Sequence, residues 1–145
     1  MQFNSNMMWE AWGRTNALYT AWCASAGQNP YRMLVLYAIN AREPITQKAI
    51  ADNTGLSKQT VSTVMRALKS DGYAELTAGG MDRREKYVRL TPEGKDYADK
   101  ALAPLYELEK RVFDIAGAER MKQMTDAIAL FNIVFEKEME TLKGE

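Results

Sequence analysis

The sequence predicts a mainly α protein with one small β-hairpin, an α+β fold, and three observations lead to that expectation. Apolar residues recur at intervals of three and four over most of the 145 residues, as on amphipathic helices. The alternation of apolar and polar residues that is typical of half-buried strands is confined to short runs at 73–77 and 86–90. Hydrophobic residues make up 46% and charged residues 26%, the ordinary balance of a folded domain. We therefore expect residues 1–145 to form a single unit.

The composition limits the chemistry available to the chain. There is no histidine and one cysteine, Cys23, so the commonest general acid–base, the commonest zinc ligand and an intrachain disulfide are all missing. We predict no catalytic residues, no metal site and no cofactor. A chain without disulfides suits a reducing compartment. The N-terminal residues lack the pattern of a signal peptide. The longest apolar run, 33–39, is far shorter than the ~20 residues of a membrane span. We expect a cytoplasmic protein.

The first two helices follow from spacing and capping. Apolar and aromatic residues predict a first helix over about 7–25 that is apolar on much of its surface. Asn29 is a suitable N-cap for a second helix, with Pro30 at its first position and the run 33–39 buried. That helix is predicted to end near 40–44.

The next segment has the pattern of a helix-turn-helix. Thr46 and Ser57 are predicted N-caps of two short helices, and Gly55 between them can adopt the left-handed conformation that closes the first. The second, about 58–70, carries an apolar stripe and an opposite polar face. Alone, such a polar face is also typical of a solvated surface helix. The stripe consists of Val61, Val64, Met65 and Leu68.

The rest of the chain supplies a hairpin and two long helices. The strands at 73–77 and 86–90 flank a basic loop, although a basic hairpin by itself is usually just a soluble sheet edge. Thr91 and Pro92 have the pattern of a helix start, and apolar stripes extend over about 92–116 and 118–142. Because so small a chain cannot cover all its long apolar helices, we predict a homodimer.

Charge is unevenly distributed along the chain. Formal net charge is zero, but residues 57–90 hold seven basic and four acidic side chains, whereas residues 91–145 hold eight basic and twelve acidic ones. A basic middle between neutral and acidic flanks gives a local positive face, which attracts polyanions such as DNA. We therefore expect double-stranded DNA as a partner, and no membrane.

A motif at the hairpin identifies a family that the chain resembles. The pattern D-x-R-x-x-x-V-x-L-T-x-x-G is met behind the helix-turn-helix at Asp82, Arg84, Val88, Leu90, Thr91 and Gly94. The sequence thereby resembles the multiple antibiotic resistance regulator (MarR) family. The resemblance implies a winged helix-turn-helix transcriptional regulator, usually a repressor, that acts as a dimer and often responds to small phenolic ligands or oxidants. It implies dimerisation helices at 1–28 and 95–145 and a DNA-binding region at 29–94.

Candidate DNA-binding residues follow from this arrangement. Gln59 and Thr63 are placed to meet base edges, and Arg66 a guanine or a phosphate. Arg84 suits a narrow minor groove, with its guanidinium held by Asp82. The remaining candidates are assigned mainly to phosphate oxygens, with Ser62 on the same polar face. These are Ser57, Lys58, Thr60, Ser62, Lys69, Arg83 and Lys86.

The aromatic first helix leaves alternatives open. One alternative is that its aromatic rings and the start of the second helix bind a small aromatic effector, with Arg32 pairing with an anionic group of the ligand. The other is that the rings pack in the core. If the pocket acts without DNA, the protein is instead a module that sequesters a small molecule. Cys23 suggests an oxidant sensor, but no basic residue lies near it in sequence to lower the thiol pKa. The effector candidates are Trp9, Trp12, Tyr19, Trp22, Tyr31 and Arg32.

Overall fold

The computed structural model describes residues 2–79 and 86–145. Within them it has six helices and a three-stranded antiparallel sheet, which confirms the predicted α+β class. The chain divides into two compact units, Met1–Leu102 and Ala103–Glu145, with the boundary inside α5. The elements are α1 Ser5–Ser25, α2 Pro30–Arg42, β1 Ile45–Thr46, α3 Gln47–Thr54, α4 Lys58–Ser70, β2 Ala74–Ala78, β3 Lys86–Leu90, α5 Pro92–Ala116 and α6 Ala118–Lys143.

Side-chain caps fix where the helices of the first unit begin. The Asn29 Oδ1 accepts from the N–H groups of Tyr31 and Arg32 at 3.0 and 3.1 Å, and the Thr46 hydroxyl accepts from the N–H of Ala49 at 3.1 Å. Gly55 ends α3 with φ +73°, in the left-handed region that favours glycine. The predicted caps are therefore confirmed.

The sheet contains one strand more than the sequence predicts. The strand order is β1-β3-β2, with Ile45 of β1 opposite Val88 of β3 and Val88 also opposite Leu76 of β2. The prediction of a lone hairpin was therefore incomplete. The added strand, two residues long, leads directly into α3 and so joins the sheet to the helix-turn-helix.

The core of the first unit lies between α2, α3, α4 and the sheet. The predicted inner stripe of α4 is confirmed, because all four of its members are buried. Leu36 and Ile39 of α2 and Ile50 of α3 are fully enclosed as well, so one face of α4 is fixed against the unit and the other is left outward. Among the described residues, no helix combines the length and apolar character needed to cross a membrane.

Candidate nucleic-acid interface

The outward face of α4 carries most of the predicted DNA-binding residues that the structure describes. Lys58, Gln59, Thr63, Arg66 and Lys69 are exposed, as is the N-cap Ser57, whereas Thr60 and Ser62 are half-buried. They lie opposite the buried stripe, so the same amphipathic pattern that anchors α4 in the core also presents these groups to solvent. The helix can therefore be approached along its whole polar face.

Hydroxyl groups at the start of α4 are partly engaged in the helix itself. The Ser57 hydroxyl donates to Thr60 Oγ1 at 2.9 Å and accepts from the Thr60 N–H at 3.1 Å, which caps the helix. The Thr63 hydroxyl donates to the Gln59 carbonyl oxygen at 3.0 Å. Thr63 therefore offers DNA its methyl group and an acceptor oxygen, while the Gln59 amide keeps both a donor and an acceptor for a base edge.

Within the described residues, the cations of α4 lack the ion pairs that five lysines elsewhere form. Five lysines elsewhere form exposed ion pairs with an aspartate four residues away, namely Lys48–Asp52, Lys95–Asp99, Lys100–Asp96, Lys110–Asp114 and Lys122–Asp126. The sequence of α4 contains no acidic residue, and within the part of the chain that the structure describes, Lys58, Arg66 and Lys69 form no salt bridge. Because no carboxylate of the described residues pairs with these cations, the positive charge of this face stays available for an anion.

The hairpin residues are described only in part. Lys86 is exposed at the first position of β3. The other predicted hairpin residues, Asp82, Arg83 and Arg84, lie outside the described residues. The structural account of the interface is therefore an account of α4 and its neighbours.

Arg32 is engaged within the first unit. Its Nη2 pairs with Asp71 Oδ2 at 2.8 Å, its Nε donates to the Tyr97 hydroxyl at 2.9 Å, and its guanidinium lies 5.2 Å from the centre of the Tyr97 ring. The Tyr97 ring in turn stacks on Tyr73 at 4.2 Å. Burial disfavours the charged form, but the hydrogen bonds to Tyr97 and Asp71 outweigh it and raise the pKa of Arg32. Sequence could not reveal these partners, which lie 65 and 39 residues away.

The other predicted effector residues differ in their exposure. Trp9 and Trp12 are 74% and 56% exposed and Tyr19 is also exposed, while Trp22 is half-buried. Tyr31 instead lies beside Arg32 in the lining of a groove next to α4. Cys23 is buried, and desolvation raises the pKa of its thiol. A raised pKa disfavours the thiolate on which oxidant sensing depends.

Known proteins match this chain in both sequence and fold. The profile of the MarR family matches residues 29–85. Over 59 residues the chain is 32% identical to the HTH-type transcriptional regulator PetP of Rhodobacter capsulatus, which covers 41% of this chain and 36% of PetP. The chain spans about a third of the length of the curated relatives it matches.

Solved structures extend the likeness to nearly the whole chain. A MarR family regulator from Neisseria meningitidis matches with a TM-score of 0.82 and 27% identity, over 95% of this chain and 98% of that one. The S. aureus MepR–DNA complex matches with a TM-score of 0.65 and 17% identity, over 92% and 99% of the two chains, a likeness of fold alone. The sequence over residues 29–85 thus matches the MarR family profile, and the fold over nearly the full length is similar to that of a MarR family regulator.

Proposed function

We propose that this protein is a transcriptional regulator that binds a pseudo-palindromic DNA operator as a homodimer and acts as a repressor. The observation that carries the proposal is the outward face of α4, where an exposed glutamine lies beside three exposed cations that form no salt bridge within the described residues. A helix of this kind can enter the major groove of B-DNA. Similarity to regulators of the MarR family supports the proposal, and it gives no reason to assign catalysis.

The residues of α4 divide into two roles in this proposal. Gln59 and Thr63 read base edges, because their free polar groups and the Thr63 methyl point outward from the helix. Lys58 and Lys69 contact phosphates, which fix the position of the helix without reading sequence. Arg66 has a fork of donors that suits a guanine or a phosphate.

Dimerisation accounts for the apolar side chains that a single copy leaves exposed. They occur on α1, α5 and α6, and α6 has no buried residue among its 26. A homodimer with two-fold symmetry places two copies of α4 on the same side of DNA, and two half-sites ~34 Å apart then occupy successive major grooves. An operator with matching two-fold sequence symmetry follows from that geometry.

The first experiment is a binding titration with a labelled fragment of DNA from upstream of the protein's own gene, at several salt concentrations, with an unrelated duplex as competitor. We expect tight binding that survives the competitor and falls steeply with salt. Arg66→Ala and Gln59→Ala should each weaken operator binding by about 5- to 150-fold, the effect of losing ~1–3 kcal/mol of base contact. Lys100→Ala, which removes one exposed lysine from α5, is the matched control and should change little.

Two outcomes would contradict the proposal. One is equal, weak binding to both duplexes, which would direct attention to small-molecule sequestration. The other is an unchanged affinity in Arg66→Ala and Gln59→Ala, which would show that α4 is an ordinary solvated helix. In either case the unpaired charge on α4 would need another explanation.

We also propose that a small aromatic effector lowers the DNA affinity. Exposed aromatic rings at Trp9 and Trp12 support this part of the proposal. The same titration repeated with salicylate as a phenolic probe tests it, and a higher Kd for the operator is the expected result. An oxidant-sensing role for Cys23 is not favoured, because burial raises the pKa of the thiol.

A further inference from the structure

A groove of about 460 Å³ runs between the first turn of α2 and one side of α4, here called the α2–α4 groove. It combines polar groups from both helices with a strip of apolar surface. The groove includes two residues already assigned to base reading, so it is continuous with the proposed DNA face. Its lining consists of Asn29, Tyr31, Arg32, Gln59, Thr60, Thr63, Val64 and Ala67.

The two sides of α4 are chemically unlike. With ~100° of rotation per residue, Lys58 and Lys69 lie ~80–100° to one side of Gln59, and Thr60 and Ala67 lie ~80–100° to the other. The first side therefore has two exposed lysines, whereas the second has none and faces the α2–α4 groove. A helix in the major groove has a sugar–phosphate backbone on each side. The lysines account for only one of those two backbones.

The α2–α4 groove has the groups that a sugar–phosphate backbone needs. The Tyr31 side chain is 53% exposed, and its hydroxyl can donate to a phosphate oxygen. The Asn29 Oδ1 is engaged in capping α2, which leaves the amide NH₂ of the same side chain as a second donor. Ala67, which is exposed, adds apolar surface suited to a deoxyribose ring. Arg32, held by Asp71 and Tyr97, fixes the first turn of α2.

We propose that the α2–α4 groove binds the DNA backbone on the side of α4 that lacks lysines, with Tyr31 donating a hydrogen bond to a phosphate and Asn29 supporting it. The proposal rests on the DNA-binding function above and adds a second point of attachment to it. Tyr31 is thereby assigned to DNA and not to an effector. Because both donors are neutral, their contribution differs in kind from that of the lysines.

Salt dependence separates the two kinds of contact. Tyr31→Phe removes the hydroxyl and keeps the ring, and we expect it to weaken binding by about tenfold or more, the loss of one hydrogen bond to a charged acceptor. The loss should be similar for the upstream fragment and for an unrelated duplex, because a phosphate carries no sequence. The slope of log K against log salt should stay unchanged, whereas Lys69→Ala should reduce it by ~0.9 through the loss of one counterion-releasing contact.

Matched controls make the result specific. Thr15→Val removes a hydroxyl from an exposed threonine of α1 and should leave DNA affinity unchanged. Circular dichroism and melting of Tyr31→Phe should match the parent, since an exposed hydroxyl is the only group removed. Replacing single phosphates of the DNA by methylphosphonates should lower the affinity of the parent protein at one position per half-site. The same replacement should not change the affinity of Tyr31→Phe.

The outcomes separate this inference from the function on which it rests. If Lys69→Ala and Arg66→Ala leave binding to every duplex unchanged, DNA binding through α4 fails. If those two variants weaken binding while Tyr31→Phe does not, only the α2–α4 groove proposal is overturned. A Tyr31→Phe variant that loses its response to salicylate but keeps its DNA affinity would also overturn it.

Discussion

Gly94 shows how one residue can fix the position of a helix. The Thr91 hydroxyl accepts from the Gly94 N–H at 3.0 Å and donates to the Gly72 carbonyl at 2.6 Å, while the Thr91 N–H donates to the Tyr73 carbonyl at 3.1 Å. These bonds hold the start of α5 against the turn that follows α4. Gly94 is buried there, and a Cβ at this position would collide with the Tyr73 carbonyl oxygen. The T-x-x-G part of the family motif thus has a steric cause.

We predict that Gly94→Ala destabilises the protein by about 1–3 kcal/mol or more, because backbone and not a flexible side chain blocks the added methyl group. The measurement is the free energy of unfolding from chemical denaturation. Gly13→Ala is the matched control, because nothing lies within 4 Å of its added Cβ in the helix α1. It should stabilise by ~0.5–1 kcal/mol through helix propensity. Equal effects of the two variants would refute the steric explanation.

Sequence reasoning at the residue scale succeeded where the cause is local. The roles of Asn29, Thr46 and Ser57 as caps follow from residue type and the next three positions, and all three are confirmed. It could not foresee that Tyr31 lies beside α4 or that Arg32 binds Asp71 and Tyr97, because those neighbours are set by tertiary packing. The groove was therefore invisible in the sequence.

At the scale of elements, the Arg32 side chain links three helices. It starts on α2, pairs with Asp71 at the end of α4, and reaches Tyr97 on α5 by a hydrogen bond and over the ring face. Tyr97 also stacks on Tyr73, which follows α4. Such a cluster sets how α4 is held relative to α2 and α5 within the first unit.

We predict that Arg32→Ala lowers the free energy of unfolding by about 1–2 kcal/mol, mainly through lost packing and cation–π contact with Tyr97. The ion pair itself adds less, since the Asp71 carboxylate is about half exposed and screened by solvent. Thermal or denaturant unfolding measures the effect. The control, Lys100→Ala, breaks an exposed ion pair within α5 and should change little. A loss no larger than that of the control would show that the cluster is not stabilising.

The elements themselves were predictable to different degrees. Six helices were expected, and α4 was bounded correctly because a cap, a glycine turn and an apolar stripe agree over 57–70. The strand Ile45–Thr46 was missed, since two residues are too few to show alternation and its existence depends on pairing with β3, some forty residues later. Short elements made by tertiary contact have no local signal.

At the scale of the whole molecule, exposed apolar side chains support the predicted homodimer. The sequence predicted a homodimer because the long helices exceed what so small a chain can cover. The structure adds that α6 buries none of its residues, although Phe131 and Phe135 lie on it with ring centres 5.5 Å apart. Exposed aromatic side chains on one helix would favour aggregation unless a second copy covers them.

We predict that the protein is a dimer at micromolar concentration and that Phe135→Glu shifts it to monomer, because a carboxylate cannot be buried unpaired in an apolar interface. Phe135 is 57% exposed in one copy, so the substitution should cost little within the chain itself. Lys137→Glu is the matched control, since position 137 lies ~200° around α6 from position 135. Sedimentation velocity gives the mass of each variant.

Unfolding supplies an independent reading of the same prediction. The midpoint of the unfolding transition of a dimer rises with protein concentration by mass action. We expect that rise in the parent protein and in Lys137→Glu, but not in Phe135→Glu. DNA binding should follow the same order, because two copies of α4 in register bind a two-fold operator far more tightly than one copy binds a half-site. A parent protein that is monomeric with a concentration-independent midpoint would contradict the dimer and, with it, the two-fold operator.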